Sequence, residues 1–162
     1  MEYNHIELPN NIAGFECIEV YDYEKTNAGL GFGLEYDIAG CKATVYIYDQ
    51  QNIVPNNLDD ELVVKEFNQA LSDIFSFNEK VELETVIEPQ KLDTQGIGFL
   101  FAGYRYVDMD GEIVNSLLFL TALLGSFVKV RLTFSAINQP ELGNTIQSNF
   151  MTDLTDILSG QL

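Results

Sequence analysis

The chain has 162 residues, 46% of them hydrophobic, with 25 acidic side chains against 8 basic ones and a formal net charge of −17. That length buries the core of one domain, and that apolar content excludes an intrinsically disordered chain. The charge argues against nucleic acid and anionic membrane surfaces as partners, because both need clustered Lys and Arg. A basic protein, a cationic ligand or a divalent cation is compatible with it, and so is a purely solubilising role for the acids.

Residues 1–13 read as a polar lead-in, with Leu8-Pro9-Asn10-Asn11 as a loop. No apolar leader precedes Glu2, so the sequence as it stands shows no signal peptide. A trimmed leader would imply the periplasm or cell envelope, and a native Met1 the cytoplasm. Residues 14–23 carry the aromatic and β-branched content of a first strand. After a turn at 24–29, Leu30, Phe32, Leu34, Tyr36 and Ile38 alternate with Gly31, Gly33, Glu35 and Asp37. That is the period of a strand with one buried face. Ala39-Gly40 turns the chain into a third strand, CKATVYIYD at 41–49, and the short spacers make a meander. Cys17 and Cys41 lie in neighbouring strands without metal-site spacing. They pair in an oxidising compartment or stay as free thiols.

A helix follows. Asn57 is placed as its N-cap, and Asp59, Asp60 and Glu61 load its first turn with negative charge. Val63, Phe67, Ala70, Leu71 and Ile74 form one apolar stripe, and the helix ends near Phe77-Asn78. Residues 81–87 read as a fourth strand closed by Glu88-Pro89. Residues 96–107 form a fifth, with Ile97, Phe99 and Phe101 on one face and Leu100, Ala102 and Tyr104 on the other. Two apolar faces require cover on both sides. Asp110-Gly111 signals a hairpin turn.

The stretch 113–134 reads IVNSLLFLTALLGSFVKVRLTF. A membrane helix, a buried helix and two buried strands compete for it. Asn115, Ser116, Thr121, Lys129 and Arg131 interrupt the run of ~20 apolar residues that a span needs. Phe127, Lys129 and Arg131 alternate with Val128, Val130 and Leu132, which is a strand period. The stretch is therefore read as a hairpin of 116–124 and 127–134, with Gly125-Ser126 as its turn and no membrane span. Asn138 and Pro140 open a last helix whose stripe is Leu142, Ile146, Phe150, Leu154 and Ile157.

The order β-β-β-α-β-β-β-β-α predicts an α/β fold of the α+β type. It is a three-layer sandwich with a mainly antiparallel sheet between helices, in one domain over 1–162. This order, with the stretches CKATVYIYD and SFVKVRLTF either side of a helix, resembles the PsbP-like fold family in a bacterial branch, from about residue 14 onward. The resemblance implies a non-catalytic binding or assembly protein, often exported, and carries no catalytic residue with it.

The residues themselves point the same way. His5, the one histidine, sits in the polar N-terminal segment away from any nucleophile motif. Gly29-Leu30-Gly31-Phe32-Gly33 lacks the spacing of a phosphate loop and precedes a strand, so close packing or a bulge explains it better. Asp108-Met109-Asp110-Gly111-Glu112 misses two calcium ligands, at Tyr106 and Leu117, and reads as a turn. No cofactor or metal is expected. Tyr46 and Tyr48 share one strand face, and Tyr104 and Tyr106 share another, each an apolar body with a polar tip. Arg105 and Arg131 sit inside apolar strands and need a partner, either an internal carboxylate or a bound anion. These six residues form the candidate binding set, for an unknown protein or peptide-like ligand. The leading function is a non-enzymatic binding module. The alternative is a small acidic chaperone for a secreted effector, and the third is an enzyme built on carboxylates and tyrosines.

Overall fold

The computed structural model describes residues 1–77, 83–137 and 140–162. Three two-residue strands, β1 (Glu2–Tyr3), β2 (Ile6–Glu7) and β3 (Asn11–Ile12), precede a meander of β4 (Phe15–Asp22), β5 (Phe32–Ile38) and β6 (Cys41–Tyr48). Helix α1 (Glu61–Phe77) follows. Then come β7 (Glu84–Thr94), β8 (Ile97–Val107), β9 (Ile113–Leu123), β10 (Ser126–Ser135) and helix α2 (Pro140–Ser159). Strands β1 and β2 form a small ribbon. Among the described residues the other eight strands make one antiparallel sheet in the order β3-β4-β5-β6-β10-β9-β8-β7.

The alternation in β10 places it at the centre. Val128, Val130 and Leu132 are fully buried toward α2, while Phe127, Lys129 and Arg131 face the side of α1. Its partners are β6, with Val130 opposite Val45, and β9, with Val130 opposite Phe119. Strand β8 serves both layers. Ile97 and Phe99 join the core beneath α2, and Leu100, Ala102 and Tyr104 join the core beneath α1. The expected three-layer sandwich is therefore what the chain forms, because a strand apolar on both faces is stable only when each face is covered. In α1 the buried residues Val63, Phe67, Ala70, Leu71 and Ile74 are the expected stripe. In α2 the buried apolar residues among those described are Phe150, Met151, Leu154 and Leu158, with Ile146 and Ile157 half-buried, and the expected Leu142 side chain lies outside the described residues.

Several boundaries differ from expectation. The lead-in is part of the core, since Ile6, Leu8 and Ile12 are buried on the α2 side. Its elements are too short to show a period. Glu7 and Gln161 hold each other through two bonds: Glu7 N donates to Gln161 Oε1 at 2.6 Å, and Gln161 Nε2 donates to Glu7 O at 2.8 Å. The cap of α1 is Asp60, whose Oδ1 accepts from Leu62 N at 2.9 Å; Asn57 makes the preceding turn, accepting from Asp59 N at 3.0 Å. Strand β7 runs past Glu88-Pro89 to Thr94. It is an edge strand, where a missing N–H is tolerated, and its pairing with β8 slips between Thr85 and Ile87 and again before Gln90. The expected residues 81–82 and Asn138 lie outside the described residues.

The central hairpin turns on Leu124-Gly125, not Gly125-Ser126. Leu124 has φ 50° and Gly125 φ 80°, the paired positive values of a type I′ turn, and Ser126 already pairs with Leu123. Ser126 is buried, and its Oγ accepts from Asn4 Nδ2 at 2.9 Å, which draws it into the strand. Among the described residues no helix is long and apolar enough to cross a membrane.

Candidate functional site

Successive residues of a strand point to opposite faces, and this rule divides the six candidate residues. Tyr46 and Tyr48 of β6 lie on the α1 face, and so do Tyr104 and Arg131; Tyr106 shares the face of Tyr104 by alternation. Arg105 lies on the α2 face. The structure brings Tyr46 and Tyr48 together around a residue outside that set, Lys129, whose ammonium sits 4.9 Å and 5.2 Å from the two ring centres. Burial holds the Lys129 ammonium below the usual lysine pKa, and the neighbouring Glu66 opposes that shift. Tyr46 also packs with Tyr23 over Gly33, where a Cβ would come within 3.1 Å of the Tyr23 ring and 3.2 Å of the Tyr46 ring. Tyr104 is buried beneath α1. Arg131 donates to Ser116 Oγ at 3.4 Å, and its buried Nε has no partner.

On the other face lies a cavity of about 530 Å³. Its floor is Phe101, Leu117 and Phe119, with the Phe101 and Phe119 rings stacked at 4.5 Å. Gly103 lets the chains crowd here, because a Cβ would meet Leu117 at 2.8 Å and Ile87 at 3.2 Å. The bulge in β7 turns both Val86 and Ile87 toward the cavity, although they are sequence neighbours. Val86 and Leu92 are exposed and form an apolar rim opposite Ser148 and Thr152 of α2.

Three polar groups converge on this space. Arg105 stands across the ladder from Glu84 on β7 and Asn115 on β9. Its Nε donates to Asn115 Oδ1 at 3.0 Å, while Glu84 is only a loose, exposed ion-pair partner at 3.8 Å. Gln147 of α2 is 5% exposed, and its Nε2 makes no hydrogen bond among the described residues. An unpaired buried amide donor costs about 1–3 kcal/mol, so Gln147 presents this space with an unmet demand for an acceptor. None of the described lining residues is Asp, Glu, His, Cys, Lys or Tyr. Such a set suits binding rather than proton transfer.

Gln147 was missed by the sequence reading, yet a signal existed. It stands four residues before Met151 on the stripe continued by Leu154 and Leu158, where an apolar residue is due. The glycine run also has a use. Gly29 N and Gly31 N donate to the Glu24 carboxylate at 3.0 Å and 2.8 Å, so an internal anion occupies that amide nest. In the 108–112 turn Asp108 Oδ1 accepts from the backbone N–H groups of Asp110 and Glu112, both at 2.9 Å. Cys17 and Cys41 are free thiols, and burial pushes Cys41 up to about 12.

No family model matches the chain, and neither does any curated protein. Among solved structures, cyanobacterial PsbP (CyanoP) from Synechocystis sp. PCC 6803 is similar over 85% of this chain and 85% of its own, at 14% identity and a TM-score of 0.50. The fold is PsbP-like. The Ran-binding protein Mog1p from Saccharomyces cerevisiae is similar at 10% identity over 88% of this chain and 84% of its own, with a TM-score of 0.43. In this PsbP-like chain the described cavity lies between the β7–β8–β9 end of the sheet and α2.

Proposed function

We propose that the chain is a non-enzymatic binding module whose ligand occupies the cavity between β7, β8, β9 and α2. The observation that carries this reading is the buried, unpaired Gln147 amide in an otherwise apolar cavity. Concave, mostly apolar spaces with a few convergent polar groups are where small ligands and apolar anchors of larger partners bind. The rim of Val86 and Leu92 leaves an apolar entrance between β7 and α2.

The test is a titration with the neutral fluorescent probe N-phenyl-1-naphthylamine. The wild type should bind it with enhanced emission. Thr152→Trp, placed at the rim, should weaken that binding about tenfold with the fold intact by circular dichroism. A probe that binds both proteins equally, or neither, would refute the reading.

A further inference from the structure

We propose that the ligand of this cavity is an amphiphilic monocarboxylate. Its carboxylate meets Arg105 and the Gln147 side-chain amide, and its apolar tail lies along Phe101, Phe119 and Met151. The inference rests on the reading of the cavity as the binding site and adds the chemical class.

Three observations select that class. The first is the sign of the open groups. Among the described residues Gln147 Nε2 is a donor without a partner, and Arg105 offers guanidinium N–H groups beyond the one held by Asn115, with Glu84 only a loose ion-pair partner at 3.8 Å. Both call for an acceptor, and a permanent cation favours an anionic one. The second is electrostatic isolation. The protein carries 25 acidic side chains, yet no Asp or Glu is among the described lining residues. Glu84 reaches Arg105 only from the exposed edge, at 3.8 Å, so the cavity wall itself is a local exception to a surface that otherwise repels anions. The third is proportion. The apolar residues Val86, Ile87, Leu92, Phe101, Phe119 and Met151 outweigh the polar end, so a small hydrophilic anion would leave most of the wall uncovered. Asn115, by accepting from Arg105 Nε, fixes the plane of the guanidinium, and the exposed Glu84 at 3.8 Å is the contact that a ligand carboxylate would have to displace or share.

The experiment compares decanoate, 1-decanol and decylammonium by calorimetry and by the methionine methyl resonances of the full chain. Decanoate should bind about tenfold or more tightly than decanol at neutral pH and shift the Met151 methyl signal. The preference should fade at acid pH as the carboxyl group protonates, while decanol binding stays constant. Arg105→Gln should abolish the preference. Gln147→Met should reduce it while raising thermal stability, because it removes an unpaired donor and loses no bond in the free protein. Decanol or decylammonium binding as tightly as decanoate would overturn the carboxylate assignment and leave the cavity reading standing. So would a preference that survives both substitutions. If none of the three ligands binds, and the neutral naphthylamine probe also fails, the cavity reading itself falls.

Discussion

The Tyr48 hydroxyl donates to Glu66 Oε1 across 2.6 Å and so ties the end of β6 to α1. Tyr48 is buried, and the second Glu66 oxygen accepts from Gln50 Nε2 at 3.0 Å. A hydrogen bond to a charged acceptor contributes more than a neutral one. Tyr48→Phe should lower stability by about 1–2 kcal/mol in urea denaturation with an unchanged slope. An unaltered midpoint would mean that water replaces the hydroxyl without loss.

Lys129 predicts a pH dependence. It forms no ion pair among the described residues, and burial lowers its pKa in the folded state. The folded state therefore disfavours the ammonium. That penalty is complete below the lowered folded pKa and is relieved as pH climbs from there toward the unfolded value of about 10.4. The Lys129 contribution to stability should rise across this alkaline window, against the opposite pull of Cys41, whose raised pKa costs stability as pH climbs past its unfolded value. Lys129→Met should lack the rise and be about 1 kcal/mol more stable at pH 7. Chemical denaturation at stepped pH checks both; a variant that tracks the wild type at every pH contradicts the argument.

Gly31 cannot carry a side chain. Its φ is 61°, and a Cβ would stand 1.8 Å from the Ile47 carbonyl oxygen, a backbone atom that cannot swing away. Gly31→Ala should cost about 3 kcal/mol or more. Gly96 is the control, with φ 85° and nothing within 4 Å of an added Cβ. Gly96→Ala should cost only about 1–2 kcal/mol, from backbone strain alone. Similar melting temperatures for the two variants would refute the steric account.

Phe150 joins α2 to the first strands. It is fully buried, edge-on to Phe15 at 4.8 Å and to Tyr36 at 5.8 Å. Phe150→Ala should cost about 3–5 kcal/mol, from lost burial plus the cavity it leaves. Phe150→Leu keeps most of the apolar volume and should lose roughly half as much. The measurement is the denaturant midpoint, and a cost under about 1 kcal/mol for the alanine variant would show that the core collapses around the gap.

The elements legible in the sequence were those with one face in the core and a clear contrast to the other. Strands β5, β6 and β10 and both helices belong to this class. Strand β7 is exposed at nearly every position, so it has no hydrophobic period, and Pro89 read as its end. The hairpin turn slipped by one residue because Leu124, not Ser126, adopts the left-handed conformation. Alternation correctly separated Arg105 from Tyr104 and Tyr106, but it carried no information about volume. The cavity depends on how α2 lies over the β7 bulge, which no local pattern encodes. Lys129 was visible as a charged residue in an apolar strand. Its place between Tyr46 and Tyr48 depends on the β6–β10 pairing across the whole middle of the chain.

The clasp between Glu7 and Gln161 reproduces one rung of a ladder with a side-chain amide, between residues 154 positions apart. During synthesis, the ribbon containing Glu7 is made before Gln161 and waits for that partner while the residues between them are added. Phe15 waits in the same way for Phe150. The ribbon and Phe15 are thus locked in place only once residues far downstream have been made. A ribosome-bound nascent chain that stops short of residue 150 holds Glu7 and Phe15 without these partners, more open to proteases and to chaperones.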